Sequence, residues 1–320
     1  YENENKEWEG TYKTDVRIND WNYWYSSGQM KKTVNYNEGE RTLNFFDAAG
    51  KNLVKEGEGN WTEYFDNKKV KATGVYTGGR KHSTWKEFYE NGKLKSETNY
   101  TKGDEDKTWK YYQNNEKLSQ VRNYKLGQKH GVWEDYYENG TKKAEKTYSD
   151  GKLTGRYIAW FSDGLIAEKS EFINGKKTGE WKWYHENGLV DMTGEFKEDI
   201  QDGKWEYYYA NKNQILSTGN FESGKRNGEW LYYYETGEKW KNGRFLKDKK
   251  DGLWNIFHEN GTLIITGKYN NGLEEGKWNT YFSDKNAQDD GFYINGEMSG
   301  SWKGWFPNGN QRYIGAYLAN

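Results

Sequence analysis

The chain has 320 residues, of which only 47 are Leu, Ile, Val or Phe, while 58 are Trp, Tyr or Phe. So few aliphatics fit disorder only alongside a high net charge; here 48 basic residues face 49 acidic ones, leaving −1. Near-neutral charge excludes a general pull toward nucleic acid, the lack of any 18-residue apolar stretch excludes a transmembrane helix, and the absence of cysteine excludes disulfide scaffolds and thiolate chemistry.

The elements follow one ruler along the chain. Trp21 opens a first unit and Thr42 stands at the equivalent place in a second. Trp61, Trp85, Trp109, Trp133, Tyr157, Trp181, Trp205, Trp230, Trp254, Trp278 and Trp302 then follow at intervals of 24, except for the 25 between Trp205 and Trp230. These anchors define 13 units. An aromatic residue stands three positions after every anchor, from Trp24 and Phe45 to Tyr281 and Trp305. Four positions after, ten of 13 are aromatic, the exceptions being Gln113, His185 and His258. Nine positions before most anchors stands another ring, as at Tyr100, Phe196 and Tyr293.

Two turns punctuate each unit. Asn-Gly follows the anchor strand, as in Glu138-Asn139-Gly140, and a second glycine-rich turn precedes the next anchor, as in Gly175-Lys-Lys-Thr-Gly179. Asn-Gly between aromatic and β-branched runs signals a hairpin, because both turn residues tolerate positive φ. Alternation in Leu94–Tyr100 adds a second strand, and glycine every few residues argues against helix. The expected fold is all-β: an elongated single-layer antiparallel sheet of about 13 stacked hairpins, a solenoid-like curved ribbon. Residues 1–60 read as irregular N-terminal repeats or a cap, and residues 61–320 as one continuous domain of regular repeats.

These motifs resemble MORN repeats, specifically the bacterial variant of antitoxin-like proteins. The resemblance rests on Tyr124-x-x-Gly127-x-Lys129-His130-Gly131-x-Trp133-x-x-Tyr136-Tyr137-x-Asn139-Gly140 and on Phe172-x-x-Gly175-Lys176-x-x-Gly179-x-Trp181. It implies a meander of hairpins and a scaffolding or protein-binding role, with phospholipid binding claimed for some members. The chain departs from the pattern at residues 42–60, where the spacing shrinks and Thr42 replaces Trp.

The ladder three positions after the anchor reads as core. Simple alternation places the residue four positions after the anchor on the anchor's own face. Its tolerance of polar residues makes Tyr89, Tyr137, Phe161, His185, Tyr209, Tyr234, His258 and Phe282 the candidates for partner binding. One turn edge is basic, with Lys81, Lys129, Lys176, Lys177, Lys225, Arg226, Lys249 and Lys250, and could meet anionic lipid or an acidic partner. The four histidines lie far apart in sequence, so no metal site is expected. No catalytic motif is present, and the glycines recur once per repeat where a unique site would need a unique set.

The reading is a non-enzymatic scaffold that binds another protein along an extended aromatic-rich face, without cofactor, metal or nucleic acid. A cell-wall or glycan-binding module, or an anionic-lipid surface, is the alternative. The chain starts at Tyr1 with no leader, which favours an extracytoplasmic or cell-surface location over a cytoplasmic one.

Overall fold

The computed structural model describes residues 1–318. Among them there is no helix, and the strands form an open antiparallel sheet of 29 strands, not closed into a barrel. The chain divides into two compact units, Tyr1–Gly155 with Ser162–Gly164, and Arg156–Phe161 with Leu165–Asn320. The 24-residue pattern runs through both.

A representative repeat of the second unit pairs Lys176–Tyr184 with Val190–Lys197. Trp181 lies opposite Gly194, and a bulge falls between Trp183 and Tyr184, one step before the Asn-Gly turn. The same bulge recurs in the neighbouring repeats, between Tyr207 and Tyr208 and between Tyr232 and Tyr233.

The two turns of the repeat differ in kind. Asn174 and Gly175 both take positive φ, 52° and 85°, and join Ile173 to Lys176 as a two-residue turn of the twisted type that suits hairpins. At the other turn Gly188 alone is left-handed, at 81°. There Gly188 N–H donates to His185 O at 2.9 Å and His185 N–H to Leu189 O at 2.8 Å, a type I turn closed by a glycine bulge. Asn-Gly thus makes the expected hairpin with only its glycine at positive φ. The asparagine instead uses its side chain, since Asn187 Oδ1 accepts Leu189 N–H at 3.0 Å, which holds the turn without a left-handed residue.

The core is an interlocked row of rings on one face. In the second unit it runs without a break through Tyr157, Phe172, Trp181, Phe196, Trp205, Phe221 and Trp230, then on to Tyr317, with centroids 5.1–6.2 Å apart. Most contacts are edge-to-face, the geometry the ring quadrupole favours. Trp205 is 2% exposed and Trp230 3%. A one-layer sheet thus buries its rings by stacking them along the sheet, each repeat covering the next.

Glycines make that burial possible. Gly74, Gly194, Gly219, Gly243, Gly267 and Gly291 each stand eleven residues before an anchor, and a Cβ on any of them would come within 2.0–2.2 Å of the indole. The anchor lies flat on bare backbone, and its Nε1 donates to the next carbonyl, as from Trp254 to Arg244 O at 3.1 Å. Four consecutive repeats lack this bed and carry Thr98, Arg122, Lys146 and Ser170 instead. There Arg122 puts its guanidinium 4.8 Å over Trp133 and pairs with Asp135, and Trp133 is only half-buried.

In the first unit the shortened spacing at 42–60 appears as short strands, Arg41–Phe46 and Asn52–Lys55. Thr42, standing where a Trp is expected, is buried, and its N–H donates to Gly79 O at 2.8 Å.

Candidate functional site

The residues four positions after the anchor sit at the Asn-Gly turn, beyond the bulge. The anchor strand ends just before them, so alternation does not carry their side chains onto the anchor's face, and the ring that stands against the anchor is two positions on: Tyr207 lies 6.2 Å from Trp205, and Trp183 lies 6.0 Å from the same indole. All eight candidates (Tyr89, Tyr137, Phe161, His185, Tyr209, Tyr234, His258 and Phe282) are half-buried. Three of them bridge repeats through their hydroxyls: Tyr89 donates to Tyr112 O at 2.7 Å, Tyr209 to Tyr233 O at 2.8 Å and Tyr234 to Phe257 O at 2.8 Å. Gln113 makes the same bridge through its amide, to Tyr137 O at 2.8 Å. That explains why the position accepts Gln. His185 faces Asp191, with Nε2 3.4 Å from the carboxylate.

The turn asparagines add a second row of bridges. While Oδ1 holds its own turn, Nδ2 reaches the next one, from Asn115 to Glu138 O at 3.2 Å, from Asn139 to Ser162 O at 2.7 Å and from Asn187 to Ala210 O at 2.7 Å.

At the opposite turn edge the basic residues separate into two sets. Cross-strand partners point to the same face, and neighbours along a strand point to opposite faces. Lys81, Lys129, Lys177, Arg226 and Lys250 lie on the ring face. Lys81 Nζ is 4.5 Å from the Trp85 centroid and 5.0 Å from that of Tyr100. Lys129 lies between Trp133 and Tyr148, Lys177 between Trp181 and Phe196, and Lys250 between Trp254 and Tyr269. Arg226 sits 4.0 Å over Phe245. These cations cap the ring ladder, and burial lowers the pKa of Lys81 below the usual lysine range.

Lys176, Lys225 and Lys249 lie one position earlier, on the other side of the sheet, and are exposed. Lys176 pairs across the turn with Ile173, and Lys249 with Leu246. Ile200 and Leu273 occupy the lysine place in other repeats, and Ile294 the place of Ile173. These apolar residues are 45–55% exposed. They follow one another along the edge: a Cβ on Gly224 would lie 3.3 Å from Ile200, and one on Gly296 3.5 Å from Leu273. Sequence reasoning found the lysines but missed the aliphatics interleaved with them. The signal was there, in Ile173 and Leu246 just before the turn and in Ile200 and Leu273 just after it.

Four segments, residues 81–102, 129–150, 177–198 and 250–271, match the family of the MORN repeat variant. These four matches together cover about a quarter of the chain. Each matched segment spans a lysine on the ring face, its anchor Trp, the Asn-Gly or equivalent turn and the second strand. No curated protein matches the sequence. Among solved structures the chain is similar to part of the crystal structure of TcdB2-TccC3-Cdc42, at 11% identity and a TM-score of 0.16, and to part of the Tc holotoxin pore of Photorhabdus luminescens, at 10% identity and 0.16. Each likeness covers 97% of this chain and 18% of the other. Among the described residues no three His, Asp or Glu side chains gather as a metal site, and no helix is long and apolar enough to cross a membrane.

Proposed function

We propose that this chain is a non-enzymatic scaffold whose second unit engages another protein along the outer side of its lysine-bearing turn edge. The carrying observation is the row Ile173, Ile200, Leu246, Leu273 and Ile294, about half exposed and interleaved with Lys176, Lys225 and Lys249. Exposed apolar rows mark interaction sites, and repeat proteins bind along extended surfaces. The interleaved lysines call for a partner segment that alternates apolar and acidic residues. This moves the contact surface away from the ladder four positions after the anchor, where Tyr89, Tyr209 and Tyr234 already spend their hydroxyls on neighbouring repeats.

The double variant Ile200→Asp/Leu273→Asp tests the reading, because both side chains are exposed and their loss leaves the ring ladder intact. Affinity capture from the native source is expected to recover a partner with the parent chain and lose it with the variant, at an unchanged melting temperature. Equal recovery with both would refute this surface.

A further inference from the structure

The ring face of the second unit contains a cavity of about 530 Å3, within the size range of small-molecule sites. Its walls include Arg226, Tyr232, Lys241, Lys250 and Tyr269. Lys241 is the unexpected member. It lies directly across from Tyr232, and at the corresponding place other repeats of this unit carry Met192, Ser217 and Ile265. The repeat therefore does not require a cation there.

Lys241 Nζ lies 4.4 Å from the Tyr232 centroid and 4.1 Å from that of Trp240. Among the described residues it has no carboxylate within ion-pair distance and no hydrogen-bond acceptor. Burial lowers its pKa, and repulsion from the nearby Lys250 adds to that. Lys250 itself donates to Tyr269 Oη at 3.2 Å, and Arg226 is held by Asp248 at 2.9 Å. The carboxylates of the cavity do not reach Lys241. Asp248 already accepts both the backbone N–H and Nε of Arg226, and Glu274 lies beside Tyr269. On the ring face the lining holds three cations, Arg226, Lys241 and Lys250, against two carboxylates. In the first unit the equivalent residue, Lys32 across from Tyr23, has Glu40 as a countercharge. The second unit withholds that countercharge and leaves a half-buried ammonium beside a second one, an arrangement that costs stability unless an anion completes it.

We propose that this cavity binds a phosphate monoester, whose oxyanion sits between the ammonium groups of Lys241 and Lys250 with Arg226 at its rim. Phosphate oxygens suit several converging donors, and the ring walls suit an organic remainder. The site lies on the ring face and is independent of the protein-binding edge proposed above.

The test is calorimetric titration of the intact chain with inorganic phosphate at constant ionic strength, with chloride as the control anion. Saturable binding is expected for the parent chain, and binding at least about tenfold weaker for Lys241→Met, which keeps the stem and removes the charge. Without phosphate, Lys241→Met is expected to melt higher than the parent, because an unpaired charge has gone. Lys197→Met, on an exposed lysine, should bind as the parent does. If Lys241→Met fails to fold, Lys250→Gln carries the same expectation of weakened binding. Vesicles of phosphatidic acid in phosphatidylcholine distinguish the source of the phosphate. Capture that Lys241→Met loses assigns it to a lipid headgroup, and phosphate binding without capture assigns it to a soluble phosphorylated compound. Equal phosphate binding by parent and Lys241→Met, or none by either, would overturn the proposal.

Discussion

Replacing Gly243 by alanine tests whether the glycine beds hold the fold together. The new Cβ would stand 2.1 Å from Cδ2 of Trp254, with Cε2 at 2.2 Å and Cγ at 2.5 Å. Gly243 does not have positive φ, so backbone strain contributes nothing and the whole effect is the displaced ring. Trp254 is 5% exposed, packs edge-to-face with Phe245 at 5.1 Å and with Tyr269 at 6.1 Å, and donates to Arg244 O at 3.1 Å. Overpacking a core costs about 1–3 kcal/mol, and full loss of a buried Trp about 3–5 kcal/mol. Partial expulsion of the indole should therefore cost about 3 kcal/mol. Chemical denaturation followed by tryptophan fluorescence measures it, with hydrogen exchange to localise the loss, since repeat arrays need not unfold in two states. Gly315→Ala is the control, because the same place in that repeat has nothing within 4 Å. Its cost should be near zero. The cycle closes with Trp254→Ala, in whose background Gly243→Ala should cost almost nothing. Equal costs for Gly243→Ala and Gly315→Ala would refute the steric argument, as would an undiminished cost in the Trp254→Ala background.

Three further expectations follow from the bridges and the buried rings. Tyr209→Phe removes the hydroxyl that reaches Tyr233 O and should cost about 1 kcal/mol in urea denaturation, whereas Tyr64→Phe, at an exposed ring, should cost nothing measurable. Asn139→Ala removes both the hold on its own turn and the bond to Ser162 O, and should cost about 1–2 kcal/mol, with exchange protection lost at both turns. Burial pushes the phenols of Tyr111, Tyr136 and Tyr208 up to about 12, the last two aided by hydrogen bonds to Glu134 and Glu206. Folded pKa values above the unfolded 10.0 give stability that is complete below pH 10 and lost as pH rises through 12. Lysines with lowered values, such as Lys241, oppose this only up to their unfolded 10.5. The denaturant midpoint should thus fall between pH 10.5 and 12, alongside tyrosinate absorbance, and Tyr111→Phe should lessen the fall.

The anchor spacing was enough to derive the hairpin meander, because Trp at intervals of 24 and its flanking turns are properties of residue type and position alone. The finer arrangement is set by where each anchor strand ends. Alternation puts the second residue after the anchor on the anchor's face, where Trp183 and Tyr207 do stand, but the strands stop at Tyr208 and Tyr233, so for Tyr209 and Tyr234 alternation no longer fixes a face. The beds at Gly194 and Gly219 were legible as a glycine eleven residues before each Trp, but most glycines of this chain belong to turns, and spacing alone does not distinguish a bed from a turn. The basic edge was visible as a run of Lys and Arg. Its division into ring-capping Lys177 and exposed Lys176 depends on strand pairing, which composition does not contain.

The odd interval between Trp205 and Trp230 shows where this architecture tolerates change. The extra residue is taken up in the turn, where Tyr209 N–H reaches Gln214 O in place of the usual fourth residue on, and no residue there needs positive φ. The strands on either side keep their register, with Trp205 opposite Gly219 and Trp230 opposite Gly243. Single-residue length changes are thus confined to an edge, while a whole 24-residue unit brings its own anchor, ring and two turn bridges. Such a unit could be gained or lost by recombination with every surviving contact intact. The length of the turn edge in a chain of this kind is then a digital quantity, set by how many hairpins a gene encodes and changed in steps of about 10 Å.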